Sequence, residues 1–134
     1  MIFLDANYFI NLSVKTNKHH ERAKEIRTLI KYEEKIISNL VIMEVISVLN
    51  VRLKQSPDLL LKVYNDLNRV YRIINDTSFH GMGFEILQKE FKKNKERLPL
   101  FDCVYIAIME ELGIKKIVSF DGHFDNKENI KRIH

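Results

Sequence analysis

Apolar residues along this chain fall into two patterns, short continuous runs and helically spaced stripes. Ile2-Phe3-Leu4 is an apolar run closed by Asp5, which predicts a buried strand followed at once by a short helix from Ala6 to Leu12. Between Lys18 and about Glu34, Ala23, Ile26, Leu29 and Ile30 recur at helical spacing among charges, the mark of an amphipathic surface helix. Lys35-Ile36-Ile37-Ser38 reads as a second strand, with Ser38 or Asn39 capping a helix from Leu40 to Lys54. Ser56-Pro57 places a capping serine before a proline at the first helical position and opens a helix to about Arg69. After a strand at Tyr71–Ile74, Asp76, Thr77 or Ser78 caps a helix to about Lys93, in which Gly81 and Gly83 each cost about 1 kcal/mol relative to alanine. Cys103 to Met109 is apolar on all sides and ends at Gly113, which predicts a central buried helix. Lys116–Phe120 and an edge strand at Asn129–Ile133 complete the pattern.

Strands that alternate with helices imply an α/β fold, a three-layer α/β/α sandwich around a central, mostly parallel sheet. Ligands of such sheets sit beyond the carboxyl ends of the strands, where Asp5, Ser38 and Asp121 fall. With 134 residues, four Gly, two Pro and no internal repeat, residues 1–134 are expected to form one domain. The single cysteine, Cys103, excludes an intramolecular disulfide and any multi-cysteine metal site, and fits a reducing cytoplasm. Met1–Ser13 has no basic stretch and carries Asp5, so no signal peptide is expected, and no apolar run approaches the ~20 residues of a membrane span. Twenty-two Lys and Arg against 18 Asp and Glu give a net charge of +4, which favours a polyanionic partner without identifying one.

The position of the acids changes this picture more than their number. Glu44, Asp102 and Asp121 lie inside or against apolar segments, where an unpaired charge costs several kcal/mol, and Asp5 ends the first apolar run. Each has a structural alternative: Asp5 and Asp121 as strand-end turn residues, Asp102 as a helix N-cap, Glu44 as a solvated edge position. Together they can converge at one edge of the sheet. Two carboxylates ~4 Å apart repel by roughly 4 kcal/mol at an effective dielectric of 20, so the cluster calls for a cation or protons. Carboxylate oxygens without His or Cys partners suit Mg²⁺ or Mn²⁺ rather than zinc, and such ions activate water for phosphoester hydrolysis.

Three segments, FLDANYFINL, IISNLVIMEVISVL and LPLFDCVYIAIMEELGIKKIVSFDGHFD, stand in the order and spacing of PIN-domain proteins. The chain resembles that family over nearly its whole length, and within it the single-domain VapC-type toxins of toxin–antitoxin pairs. The resemblance implies a Mg²⁺- or Mn²⁺-dependent endoribonuclease with catalytic acids at Asp5, Glu44, Asp102 and Asp121. Asp5, Asp102 and Asp121 then serve as metal ligands, Glu44 acts directly or through water, Asp125 is offered as a fifth acid, and Asn7 and Ser119 are the supporting polar residues. It also implies an antitoxin partner and a homodimer.

Two basic runs, Lys15, Lys18 and Arg22 after Asp5 and Lys92, Lys93, Lys95 and Arg97 before Asp102, are placed to flank the acids and contact an RNA backbone. The five histidines, in hydrophilic contexts, are read as surface or loop residues and not as ligands. Tyr8 and Phe9 are the expected near-site aromatics, read as packing side chains. A receiver-like signalling domain is a rival, but it expects paired acids after the first strand and a lysine after a late one; here Asp5 is alone and Ser119-Phe120-Asp121 stands in the second place. A PIN-domain RNA-processing nuclease without an antitoxin, and a non-cleaving module that binds RNA or a protein, are the further alternatives.

Overall fold

The computed structural model describes residues 1–134. Five strands, β1 (Ile2–Leu4), β2 (Lys35–Ser38), β3 (Arg72–Ile74), β4 (Lys116–Val118) and β5 (Lys131–Ile133), form one sheet in the order β3-β2-β1-β4-β5. Every neighbouring pair is parallel, with Phe3 opposite Ile36 on one side and Ile117 on the other. Six helices connect them: α1 (Ala6–Ser13), α2 (His20–Leu29), α3 (Asn39–Ser47), α4 (Pro57–Val70), α5 (His80–Asn94) and α6 (Leu100–Leu112). Helices α1 to α4 pack on one another, and α5 pairs with α6. The three-layer α/β/α architecture is the expected one, and the sheet is wholly parallel.

The core is a cluster of 28 buried residues centred on β1, β2, β4 and α6. Cys103 to Met109 are all buried, as a helix apolar on every side must be. Tyr8 and Phe9 are buried too and serve packing, Phe9 edge-on against Tyr71 with ring centroids 5.1 Å apart.

Departures from the expected boundaries have local causes. The second helix stops at Leu29 rather than near Glu34, because Lys31-Tyr32-Glu33-Glu34 offers the core nothing: Tyr32 is 92% exposed, and Glu33 is drawn to Lys116 and the amino terminus. The third helix leaves α-geometry at Val48, where a wide π turn, Val48–Arg52, closes with Leu53 N–H donating to Val48 C=O at 3.0 Å and keeps Leu49 fully buried. Neither Ser38 nor Asn39 caps α3 with its side chain. The cap comes from Asp76, 36 residues away, which accepts from Leu40 N at 2.9 Å while Asn39 Oδ1 accepts from Asp76 N. Ser56 does cap α4, accepting from Leu59 N. β5 starts at Lys131 because Asn129, at φ 61°, holds a left-handed conformation incompatible with a strand.

The two glycines of α5 behave oppositely. A Cβ on Gly83 would lie 2.7 Å from Val104 Cγ2 and 3.0 Å from its backbone, so glycine is what lets α5 and α6 approach; a Cβ on Gly81 meets nothing within 4 Å. Gly83→Ala should therefore destabilise by about 1–3 kcal/mol through forced separation of the helices. Gly81→Ala should stabilise by up to about 1 kcal/mol. Urea denaturation of the two variants checks both signs, and two stabilised proteins would contradict the close approach.

Candidate active site

The chain runs β1 to β2 to β3 outward on one side, then returns so that β4 lies on the other side of β1. The strand order reverses between β1 and β4, the switch point at which open parallel sheets form a crevice. Asp5 ends β1 there, and Ser119-Phe120-Asp121 follows β4. Asp5 is 4% exposed, and both its oxygens are held: Oδ1 accepts from Ala6 N at 2.7 Å and Oδ2 from Ser119 Oγ at 2.7 Å. Asn7 Nδ2 donates to Ser119 Oγ at 3.2 Å, Asn7 Oδ1 accepts from Phe120 N at 3.0 Å, and Ser119 Oγ accepts from Asp121 N at 3.0 Å. Asn7 and Ser119 thus tie the start of α1 to the segment after β4 and hold Asp5 in one orientation.

Asp102 is not a helix cap. Pro99 occupies the N-cap position, leaving Asp102 in the first turn of α6 with its side chain free to face the crevice. Glu44, half-buried on α3, accepts from the Tyr105 hydroxyl at 3.2 Å. Asp121 Oδ1 accepts from His123 N at 3.0 Å, forming the 3-10 turn Gly122–Phe124.

The four acids share one electrostatic environment. Burial pushes the Asp5 carboxyl up to about 7; the Ser119 hydroxyl opposes this, and the charges of Asp102 and Glu44 add to it. Burial likewise pushes Asp102 up to about 6, with His123 opposing and Asp121 and Glu44 adding. Glu44 is raised by burial against the pull of Tyr105, with Asp121 adding. Tyr105 itself is held well above the usual phenol range by burial and by Glu44 and Asp5.

Asp125, the fifth acid offered by the resemblance, does not join the cluster. Arg132 Nε and Nη2 grip its two oxygens at 2.7 and 2.8 Å, while Nη1 donates to Ser119 C=O at 3.2 Å, and this pairing lowers the Asp125 carboxyl. Asp125 therefore braces the loop rather than the crevice.

The reading of all five histidines as uninvolved is corrected by His123. Its Nδ1 lies 2.7 Å from Asp102 Oδ2 and 3.1 Å from Asp121 Oδ2. Ligand atoms of Asp102, Asp121 and His123 all lie within 4.8 Å of one another, so the premise of a site without nearby histidine does not hold. Two signals were available, since His123 is two residues from Asp121 and Tyr105 stands one helical turn from Asp102. The near-site aromatics are Tyr105 and Phe120, not Tyr8 and Phe9; His19 stacks on Phe120 with centroids 4.6 Å apart and planes at 3°.

The first basic run brackets His19, which lies at the site's rim. His19 touches Phe120, and Arg22 donates to His134 C=O at 3.0 Å beyond the carboxyl end of β5, with Lys15 and Lys18 exposed nearby in sequence. The second run lies apart. Lys92 and Arg97 line a cleft of about 300 Å³ with Leu87, Phe91 and Leu98, none of the four acids contributes to it, and the Arg97 guanidinium sits 4.6 Å over the Phe91 ring. None of the seven basic side chains of these two runs forms an ion pair with Asp5, Glu44, Asp102 or Asp121.

Comparison with known proteins agrees with this fold. The PIN-domain family model matches residues 2–130. Similar folds include the VapC20 toxin of Mycobacterium tuberculosis, described as cleaving the sarcin–ricin loop, with 21% identity over 92% of each chain and a TM-score of 0.75. VapBC2 from Rickettsia felis, bound to a DNA fragment from its promoter, is 16% identical over 99% of this chain and 98% of that one, with a TM-score of 0.73. A toxin–antitoxin complex from Klebsiella pneumoniae is 18% identical over 98% and 96%, with a TM-score of 0.69. No curated protein sequence matches the chain significantly.

Proposed function

We propose that this chain, which belongs to the PIN-domain family, is a divalent-metal-dependent endoribonuclease and the toxin of a toxin–antitoxin pair. The observation that carries the reading is the convergence of buried Asp5 and Asp102 with half-buried Glu44 and Asp121 at the switch point, where burial first and mutual repulsion second raise three of the four carboxyls. That arrangement is unfavourable in the metal-free protein and suits a cation. Asp5, Asp102 and Asp121 would hold a Mg²⁺ or Mn²⁺ ion, with Glu44 acting directly or through water. A bound ion of this kind polarises a phosphate oxygen and lowers the pKa of a water so that it can attack phosphorus.

The remaining work belongs to the chain. Ser119 and the Ala6 amide fix the Asp5 carboxylate, so little reorganisation accompanies loading. Tyr105 orients Glu44 by donating to Oε2. Lys15, Lys18 and Arg22 supply positive charge for the RNA backbone that an acidic crevice alone would repel. The half-buried stack of Phe120 and His19 at the rim provides a face on which a base can stack.

The antitoxin reading is supported by the descriptions of the similar structures as VapBC and toxin–antitoxin complexes, and by an apolar cleft of about 320 Å³ lined by Leu40, Met43, Glu44, Ser47, Val48 and Phe101. A peptide seated there reaches the acids through Glu44, where an Arg or Lys of the antitoxin would neutralise the cluster. The homodimer is proposed on the resemblance. No helix of the chain is long and apolar enough to cross a membrane.

The test is cleavage of an RNA oligonucleotide by the purified chain with Mg²⁺ or Mn²⁺. Products are expected to carry 5′-phosphate and 3′-hydroxyl ends, and EDTA to stop the reaction. Products with 2′,3′-cyclic phosphate ends, or undiminished cleavage in EDTA, would overturn the metal-dependent mechanism. Light scattering at tens of micromolar reads the dimer.

A further inference from the structure

We infer that His123 is a metal ligand of this site, and that its nitrogen tilts the site toward a first-row divalent transition ion, probed here as Mn²⁺, over Mg²⁺. The inference rests on the metal-dependent reading above and adds to it a donor of a different chemical kind. Around a six-coordinate ion with donors at about 2.1 Å, neighbouring donors lie about 3.0 Å apart. His123 Nδ1 stands 2.7 Å from Asp102 Oδ2 and 3.1 Å from Asp121 Oδ2, so the nitrogen already lies at about the separation of an adjacent ligand from each oxygen.

The backbone supports the same arrangement. The Gly122–Phe124 turn carries His123 back over Asp121, whose Oδ1 is occupied by the His123 amide and whose Oδ2 is left facing the ring. Phe124, fully buried, anchors that turn in the core. Arg132 braces the next residue by gripping Asp125 and joining it to Ser119 C=O, so the imidazole is presented by a constrained loop. As a ligand through Nδ1 the ring keeps its proton on Nε2.

Imidazole nitrogen is a poor match for Mg²⁺, which prefers oxygen and water, and a good one for transition ions. One nitrogen among carboxylates therefore shifts selectivity without changing the charge balance of the acids. The other four histidines are engaged elsewhere or lie outside the cluster: His20 Nδ1 is 2.8 Å from Asn11 O, His80 Nε2 is 2.9 Å from Asp76 Oδ1, His19 lies on Phe120, and His134 is exposed after β5.

The experiment is pulsed electron paramagnetic resonance of Mn²⁺ added to the full chain, with Mn²⁺ and Mg²⁺ affinities measured by titration calorimetry. The expected spectrum shows ¹⁴N coupling of a directly bound imidazole, which becomes a ¹⁵N pattern when histidine is ¹⁵N-labelled and disappears in His123→Asn. His123→Asp, an all-oxygen set, is expected to lower the Mn²⁺ over Mg²⁺ preference by about tenfold or more. The labelled wild-type spectrum stands by itself should a variant fail to fold. Mn²⁺ binding that depends on Asp102 but shows no nitrogen coupling would overturn the His123 assignment and leave the nuclease reading intact. Absence of any Asp102-dependent Mn²⁺ binding would overturn both.

Discussion

Asp5→Asn is expected to lower RNA cleavage by about 100- to 1,000-fold or more, the scale of losing a preorganised electrostatic group in a water-excluded site, while the protein stays folded. Asparagine keeps the shape of the side chain, and its carbonyl can still accept from the Ala6 amide or the Ser119 hydroxyl. What it removes is a negative charge that burial and two neighbouring carboxylates make unfavourable in the metal-free protein. The comparison variant is Glu34→Gln, the same chemical change on an exposed carboxylate paired with Arg72; it is expected to cleave at close to the wild-type rate. Initial rates on one labelled RNA with Mg²⁺ or Mn²⁺ decide the matter. Wild-type cleavage by Asp5→Asn would remove this crevice as the site of chemistry.

Metal-free stability should fall as pH rises from about 4 to 7, and a divalent ion should offset part of that fall. Asp5 moves from an ordinary 3.8 to about 7 in the fold and Asp102 from 3.8 to about 6. Both folded values lie above the unfolded ones, so between them the native state binds more protons than the unfolded chain. Stability is then fully present below pH ~4 and lost as pH climbs through the folded values. The Asp5 shift alone corresponds to about 4 kcal/mol across that window; Asp102 overlaps it because each acid raises the other, so the two do not add. Asp102→Asn should accordingly melt no lower than wild type at pH 8 in EDTA. A divalent ion at 100 times its dissociation constant should add about 2.7 kcal/mol to the wild type at that pH, and less to the variant. Melting curves from pH 5 to 8, with EDTA or with Mn²⁺, measure both effects. Metal-free stability that rises over this range, or equal metal shifts in the two proteins, would contradict a strained carboxylate cluster.

Much of this was legible along the chain because it is written in local spacing. Ile2-Phe3-Leu4 closed by Asp5, and the all-round apolar run from Cys103 to Met109, declare a buried strand end and a buried helix whatever surrounds them. The acids inside those segments were visible because a carboxylate in an apolar context is costly and therefore conspicuous. Local reading went astray where a distant group competed with a nearby one. Asp76 takes the capping role assigned to Ser38 or Asn39, Arg132 withdraws Asp125 from the acids, and Val104 makes Gly83 a contact rather than a defect.

The sequence by itself determined the alternation of strands and helices, the α/β class, and the presence of buried acids at strand and helix ends, since each depends on hydrophobic periodicity over a few residues. Only the tertiary structure decided which of those acids meet. Parallel pairing of β1 with both β2 and β4 brings Asp5 within hydrogen-bonding reach of Ser119, 114 residues away. The return of the chain across the sheet sets α6 over the same crevice, where His123 finds Asp102, 21 residues before it. Such long-range contacts are selected by closing one core around the whole sheet, and no window of neighbouring residues carries that information.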